Sequence, residues 1–130
     1  DIIVGFPTEN ELNFANTLNL IEICQISNVH IFPFSPKEKT PAAKMPQVFE
    51  KIKRKRTKEI REKSDEILRN LMTDKIGKKI QILFESENLS YSDDFFKVST
   101  NIVSQKKVKK GDIIEVKIIA QENNFLKAKL

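Results

Sequence analysis

The chain opens with short apolar β-branched runs on either side of one helix-like stretch. Ile2-Ile3-Val4, closed by Gly5-Phe6-Pro7, predicts a buried strand ending in a turn. Thr8 followed three residues later by Glu11 is a capping-box spacing and predicts a helix start. Phe14, Leu18 and Ile21 share one face of that helix, and Leu12, Leu20 and Ile23 a second. Two apolar faces predict packing against a sheet and against a neighbouring helix. Residues 28–32 predict a second strand. Strand, helix and strand in so short a span predict a right-handed βαβ unit with a parallel sheet.

Pro33, Pro36, Pro41 and Pro46 then predict an ordered but irregular loop, because proline fixes φ and removes a donor. Residues 47–75 return to a helical period. Phe49, Ile52, Ile60, Ile67, Leu68 and Leu71 project onto one stripe. The basic run 53–59 interrupts the stripe, and Arg56 falls on it, where its stem can pack while its head reaches a polar cavity. Gly77 is placed to end the helix. Beyond it the period changes to two. Strands are expected over 80–84, 95–98, 113–120 and 125–130, with turns at Lys110-Gly111-Asp112 and Asn123-Asn124. Short strands with turn punctuation predict a small closed β-barrel of the oligonucleotide-binding kind. The fold class is therefore α/β plus β: residues 1–46 as the βαβ part, 47–75 as a linker helix, and 76–130 as the barrel.

Composition narrows the possibilities. The 130 residues are 39% hydrophobic and 32% charged, too apolar for disorder and too charged for a membrane protein. No apolar run approaches the roughly 20 residues of a spanning helix, and the N-terminus lacks a signal peptide's basic region, so no membrane association is expected. Cys24 is the single cysteine, so no internal disulfide can form, and a reduced, cytoplasmic setting is expected. One thiol also cannot supply the three or four ligands of an iron–sulfur or zinc–thiolate site. The chain starts on a strand, without Met, which reads as a fragment. The net charge is +5: residues 1–46 carry 3 basic and 5 acidic groups, 47–75 carry 10 and 6, and 76–130 carry 10 and 7. The positive field therefore lies where a polyanion would be held.

Candidate chemistry follows from these elements. In a parallel α/β barrel, function sits at the strands' C-terminal ends, here Gly5-Phe6-Pro7 and Phe32-Pro33-Phe34-Ser35. Gly5 either lets backbone approach a ligand or simply makes the turn. His30, mid-strand, is expected to be packed and hydrogen-bonded, and Cys24 to be a small core residue. Three glycines and no Ser/His/Asp arrangement argue against a phosphate loop or a nucleophilic site. Lys53, Arg54 and Arg56 suit phosphate contact, against the alternatives of a solvated helix face or a targeting signal. On the barrel, Lys79, Lys97, Lys107, Lys109 and Lys110 offer phosphate contacts. Tyr91, Phe95 and Phe96 are stacking platforms for unpaired bases. Of the two adjacent phenylalanines, one must face in and one can face out.

Three segments carry a family resemblance: residues 1–9 (DIIVGFPTE), residues 29–36 (VHIFPFSP) and residues 40–48 (TPAAKMPQV). Together they resemble the C-terminal part of radical-SAM methylthiotransferases. Residues 40–48 resemble most the branch acting on threonylcarbamoyladenosine in tRNA. Residues 77–130 are similar to the TRAM domain that ends these enzymes and binds RNA. The resemblance implies the last strands of a partial (β/α) barrel holding S-adenosylmethionine and a 4Fe–4S cluster, with a second cluster upstream. It implies sulfur insertion and methylation at an adenosine next to the anticodon. By position, Gly5, Phe6 and Pro7 would lie near S-adenosylmethionine, and Phe34 and Ser35 on the rim near substrate. The family's cluster cysteines are absent, Lys39 stands where many members have glycine, and 92–97 lacks a frequent proline. This predicts a chain with tRNA as partner, no cofactor bound alone, and a complementary cluster-bearing N-terminal polypeptide. A free-standing RNA-binding module and a gene remnant are the alternatives. Two strands with an open edge also predict weak hydrogen-exchange protection over residues 1–46 unless a partner docks.

Overall fold

A computed structural model describes residues 1–100 and 108–130. The chain divides into two compact units, Asp1–Leu68 and Arg69–Leu130. Among the described residues no helix is long and apolar enough to cross a membrane.

In the first unit β1 (Ile2–Val4) and β2 (Ile31–Pro33) pair in parallel, with Ile2 opposite Ile31 and Val4 opposite Pro33. The pairing extends past both ends: Ile2 N donates to His30 O and Phe34 N to Val4 O. The helix between them, α1 (Glu11–Ile23), starts later than the Thr8 spacing predicts. Its cap is Asn10, whose side chain accepts from Asn13 N while Asn13 Oδ1 accepts from Asn10 N. Glu11, the acid of that spacing, is engaged elsewhere: it bonds Arg56, as does Glu9. Phe14 and Ile21 are buried as expected, but Leu12, Leu20 and Ile23 are all more than half exposed. The second apolar face of α1 is thus uncovered in this chain.

The proline-rich loop contains a short 3₁₀ turn, Pro41–Lys44, capped by the Thr40 side chain. Lys39, just before that cap, sits at φ 65°, in the left-handed region that favours glycine. Helix α2 (Glu50–Thr73) follows. The buried residues of its stripe are Lys53, Arg56, Ile60, Ser64 and Ile67, whereas Phe49 is 78% exposed. The basic run does not interrupt the stripe; it supplies two of its members.

In the second unit five strands form a closed barrel: β3 (Lys79–Phe84), β4 (Ser90–Ser92), β5 (Lys97–Thr100), β6 (Ile113–Glu122) and β7 (Phe125–Lys129). The order around it is β3-β4-β5-β7-β6, and β6 pairs back onto β3. Four of the contacts are antiparallel, and β5 with β7 is parallel. The period-two alternation turns Ile82, Phe84, Val98, Val116, Ile118, Leu126 and Ala128 inward. Strand β4 carries Ser-Tyr-Ser and gives no apolar signal, which is why the sequence pattern misses it. Its two serines are buried all the same, with Ser92 Oγ accepting from Phe96 N and donating to Asp94 Oδ1 at 2.6 Å.

Candidate functional site

The C-terminal ends of β1 and β2 are fastened to α2 by two cations. Lys53 is 4% exposed, and its ammonium donates to Phe34 O at 3.1 Å and pairs with Glu50. Its stem lies against Gly5, and a Cβ at Gly5 would stand 2.2 Å from Lys53 Cγ. Gly5 also has φ 75°. Both facts require glycine, and the space it leaves is filled by Lys53. The turn-making role of Gly5 is therefore accounted for within the chain. Arg56 is 3% exposed; Nη1 donates to Glu9 O at 3.1 Å and to Glu9 Oε2 at 2.8 Å, and Nη2 to Glu11 Oε1 at 2.8 Å. Its guanidinium lies 5.2 Å from the Phe14 ring centroid. Glu9 Oε2 in turn accepts from Gly5 N, so one carboxylate ties the strand end to the helix.

These placements revise the sequence expectation for 53–56. Lys53 and Arg56 are neither on a solvated face nor open to a phosphate; Lys53 Nζ and Arg56 Nη1 and Nη2 are bonded inside the unit, and only the buried Arg56 Nε has no partner among the described residues. Arg54, between them, is exposed. The signal for Arg56 was its position on the stripe. For Lys53 the signal was its spacing three residues before Arg56 and seven before Ile60.

Around the strand ends, Phe6 packs edge-on to Phe34 with ring centroids 5.2 Å apart. Phe6 is 42% exposed, Pro7 is partly buried, and Ser35 is exposed. This aromatic pair and its backbone form the rim. At the opposite ends of the strands lies an apolar cleft of about 260 Å³, with Ile2, Leu20, Ile21, Ile26 and Val29 among its lining residues. His30 is not packed mid-strand: it precedes β2, is largely exposed, and its Nδ1 is 3.1 Å from Asp1 Oδ1. Cys24 is exposed as the C-cap of α1, not a core residue. Among the described residues no three His, Cys, Asp or Glu side chains could hold a metal together. With one exposed thiol, the donor set does not fit an iron–sulfur cluster.

On the barrel the Phe95/Phe96 alternative resolves. Phe96 is buried, with the Lys75 ammonium 5.0 Å from its ring centroid, and Phe95 is 78% exposed. Phe95 is not part of a strand. It occupies the β4–β5 turn at φ 64°, with its N–H donating to Ser92 O, and this shifts Phe96 into the inward register. A bulky residue in the left-handed region is an outlier, and here the ring points into solvent. The turn is braced by Asp94, which pairs with Lys75. Burial alone would raise the Asp94 carboxyl, but the Lys75 and Ser92 hydrogen bonds outweigh it and hold it below the ordinary range.

Tyr91 is half-buried, opposite Leu83 on one side and Lys97 on the other. Lys97 lies 5.8 Å from the Phe125 ring centroid. Lys79 is exposed and donates to Glu115 at 2.8 Å, which raises its ammonium above the ordinary value. Lys109 and Lys110 are exposed at the turn into β6, where Lys109 N donates to Asp112 Oδ2. Lys107 lies outside the described residues.

No family model matches the chain. It is similar, however, to whole-chain stretches of named proteins. Over 130 residues, all of this chain and 30% of the relative, it is 35% identical to threonylcarbamoyladenosine tRNA methylthiotransferase MtaB of Rickettsia prowazekii. It is 37% identical to a probable threonylcarbamoyladenosine tRNA methylthiotransferase of Methanocaldococcus jannaschii, covering 100% of this chain and 29% of that protein. It is 35% identical to the Xenopus laevis threonylcarbamoyladenosine tRNA methylthiotransferase, covering 98% and 23%. The chain spans less than a third of the length of these relatives. By sequence it corresponds along its full length to the C-terminal part of the threonylcarbamoyladenosine tRNA methylthiotransferases, and it belongs to that family of sequences.

Proposed function

We propose that the chain acts as the C-terminal portion of a tRNA methylthiotransferase. In this reading residues 1–46 complete the β/α layer that holds S-adenosylmethionine and the cluster, and residues 76–130 form the tRNA-binding TRAM barrel. The helix of residues 47–75 links them. The observation that carries it is whole-chain homology to these enzymes in a polypeptide with one thiol. The rim formed by Phe6, Pro7, Phe34 and Ser35 would face cofactor and substrate. Lys53 and Arg56 would act as positioning residues that hold this rim, and Arg54 as the accessible cation of the run. Phe95 and Tyr91 would stack unpaired bases, with Lys79, Lys97, Lys109 and Lys110 at phosphates.

The uncovered apolar side of the first unit supports a cluster-bearing partner. Ile3 and Phe32 on the sheet and Leu12, Leu20 and Ile23 on α1 are all more than half exposed. A polypeptide bringing the next parallel strand and helix would cover them. The alternative, a free-standing RNA-binding module, draws on the closure of the barrel, which needs nothing from residues 1–68 to pair its described strands.

The test is anaerobic reconstitution of the purified chain with iron and sulfide, then assay with S-adenosylmethionine and tRNA. The expected result is no cluster absorbance, no methylthio product, and retained tRNA binding. Cluster incorporation and S-adenosylmethionine cleavage by the chain alone would overturn the proposal.

A further inference from the structure

The outer surface of the barrel is electrostatically two-sided. The β4–β5 side, with its flanking turns, carries the carboxylates of Glu85, Glu87, Asp93 and Asp94 against the strand cation Lys97 and against Lys75, which pairs with Asp94. On the other side the register aligns a row of ammonium groups. Lys129 on β7 is directly opposite Lys117 on β6, and Lys117 is directly opposite Lys79 on β3. All three are exposed, and their inward neighbours Ala128, Ile118 and Val116 are buried, so the lysines share the outer face. Adjacent strands lie about 4.8 Å apart, so the row spans roughly 10 Å.

Like charges directly opposed across strands are destabilising. Relief is partial: Lys79 has Glu115 at 2.8 Å, but among the described residues neither Lys117 nor Lys129 has an acidic partner within 4 Å. The next lysine on β7, Lys127, by contrast pairs with Glu122 at 3.2 Å. A row in which two of three ammonium groups have no acidic partner among the described residues is what a polyanion would complete, through release of its own counterions.

We propose that the Lys79–Lys117–Lys129 row is the principal contact for the RNA backbone, and that the acidic β4–β5 side contributes mainly base contacts, with Lys97 as a lesser phosphate contact. This deepens the tRNA-binding reading and rests on it. The phosphates would cross β7, β6 and β3, with Phe95 on the far hairpin free to take an unpaired base.

The experiment measures tRNA affinity of the full chain against salt concentration. Lys117→Gln with Lys129→Gln is expected to lower the slope of log affinity on log salt by about 1.4 to 1.8, as two lost phosphate contacts require. The corresponding double arginine variant should keep the slope, and Lys97→Gln should lower it far less than the double glutamine variant. An unchanged slope in the double glutamine variant, with tRNA still bound, overturns the inference alone. Heparin supplies the second arm. Heparin binding that depends on Lys117 and Lys129, without tRNA binding, keeps the row as a polyanion contact and overturns the tRNA reading. Binding of neither polyanion overturns both.

Discussion

Sheet edges are handled in opposite ways by the two units. In Arg69–Leu130 the five strands pair round into a barrel, and the interior is apolar apart from small hydroxyls such as Ser90, Ser92 and Thr100. In Asp1–Leu68 two strands of three residues pair only with each other, and the interior of α2's stripe includes an ammonium and a guanidinium. A closed sheet holds itself by its own ladder and its own core. An open pair of strands cannot, and here Lys53 and Arg56 reach from a long helix to hold the strand ends. The difference teaches where each unit's weakness lies. The barrel should tolerate loss of any surface charge, whereas the first unit should fail when a single buried cation is removed.

The sharpest way to break that contrast is Arg56→Ala. It strands the Glu9 carboxylate, which is only about a tenth exposed, and should destabilise the first unit by about 3–5 kcal/mol. Segment-resolved hydrogen exchange would show the loss over residues 1–68 with the barrel unchanged. Gly5→Ala comes next. It combines a positive-φ penalty with a collision against the Lys53 stem, for about 2–4 kcal/mol in the same segment. Lys39→Gly works in the other direction. Relief of the left-handed backbone at φ 65° should stabilise the first unit by about 0.5–1 kcal/mol, read as a raised denaturant midpoint. The smallest effect belongs to the barrel. The Asp94 carboxyl titrates below its unfolded value of about 3.9, so its stabilisation is present above about pH 4 and is lost as pH falls through the folded pKa. Asp94→Asn should therefore lose this small contribution at neutral pH and flatten the barrel's acid unfolding profile below about pH 4, where the two proteins converge.

How much of this was readable beforehand differs between the units for a physical reason. The barrel's strands follow a strict alternation, and Ile82, Phe84, Val116 and Ile118 give their burial away by spacing alone. The exceptions are local: Ser-Tyr-Ser of β4 has no hydrophobic period, and Phe95 takes a turn position where glycine or asparagine would have been the usual mark. In the first unit the apolar pattern located both strands, both helices and the Arg56 position, but not the fate of the charges. A run of lysine and arginine looks the same whether it faces water or a carboxylate brought from 45 residues away. Cys24 and His30 were misplaced because both fall just outside the regular elements, where spacing carries no burial information. The exposed leucines of α1 read as core because the sequence records an apolar face, not what covers it.

The central claim is that the first unit is an open sheet pinned by buried cations, whereas the second is a barrel closed on itself. Native-state hydrogen exchange on the intact chain tests it most directly. The amides of Ile2 and Phe34, which bridge β1 and β2, should exchange roughly a hundredfold or more faster than that of Ile118 in the barrel. Equal protection of these three amides would contradict the account.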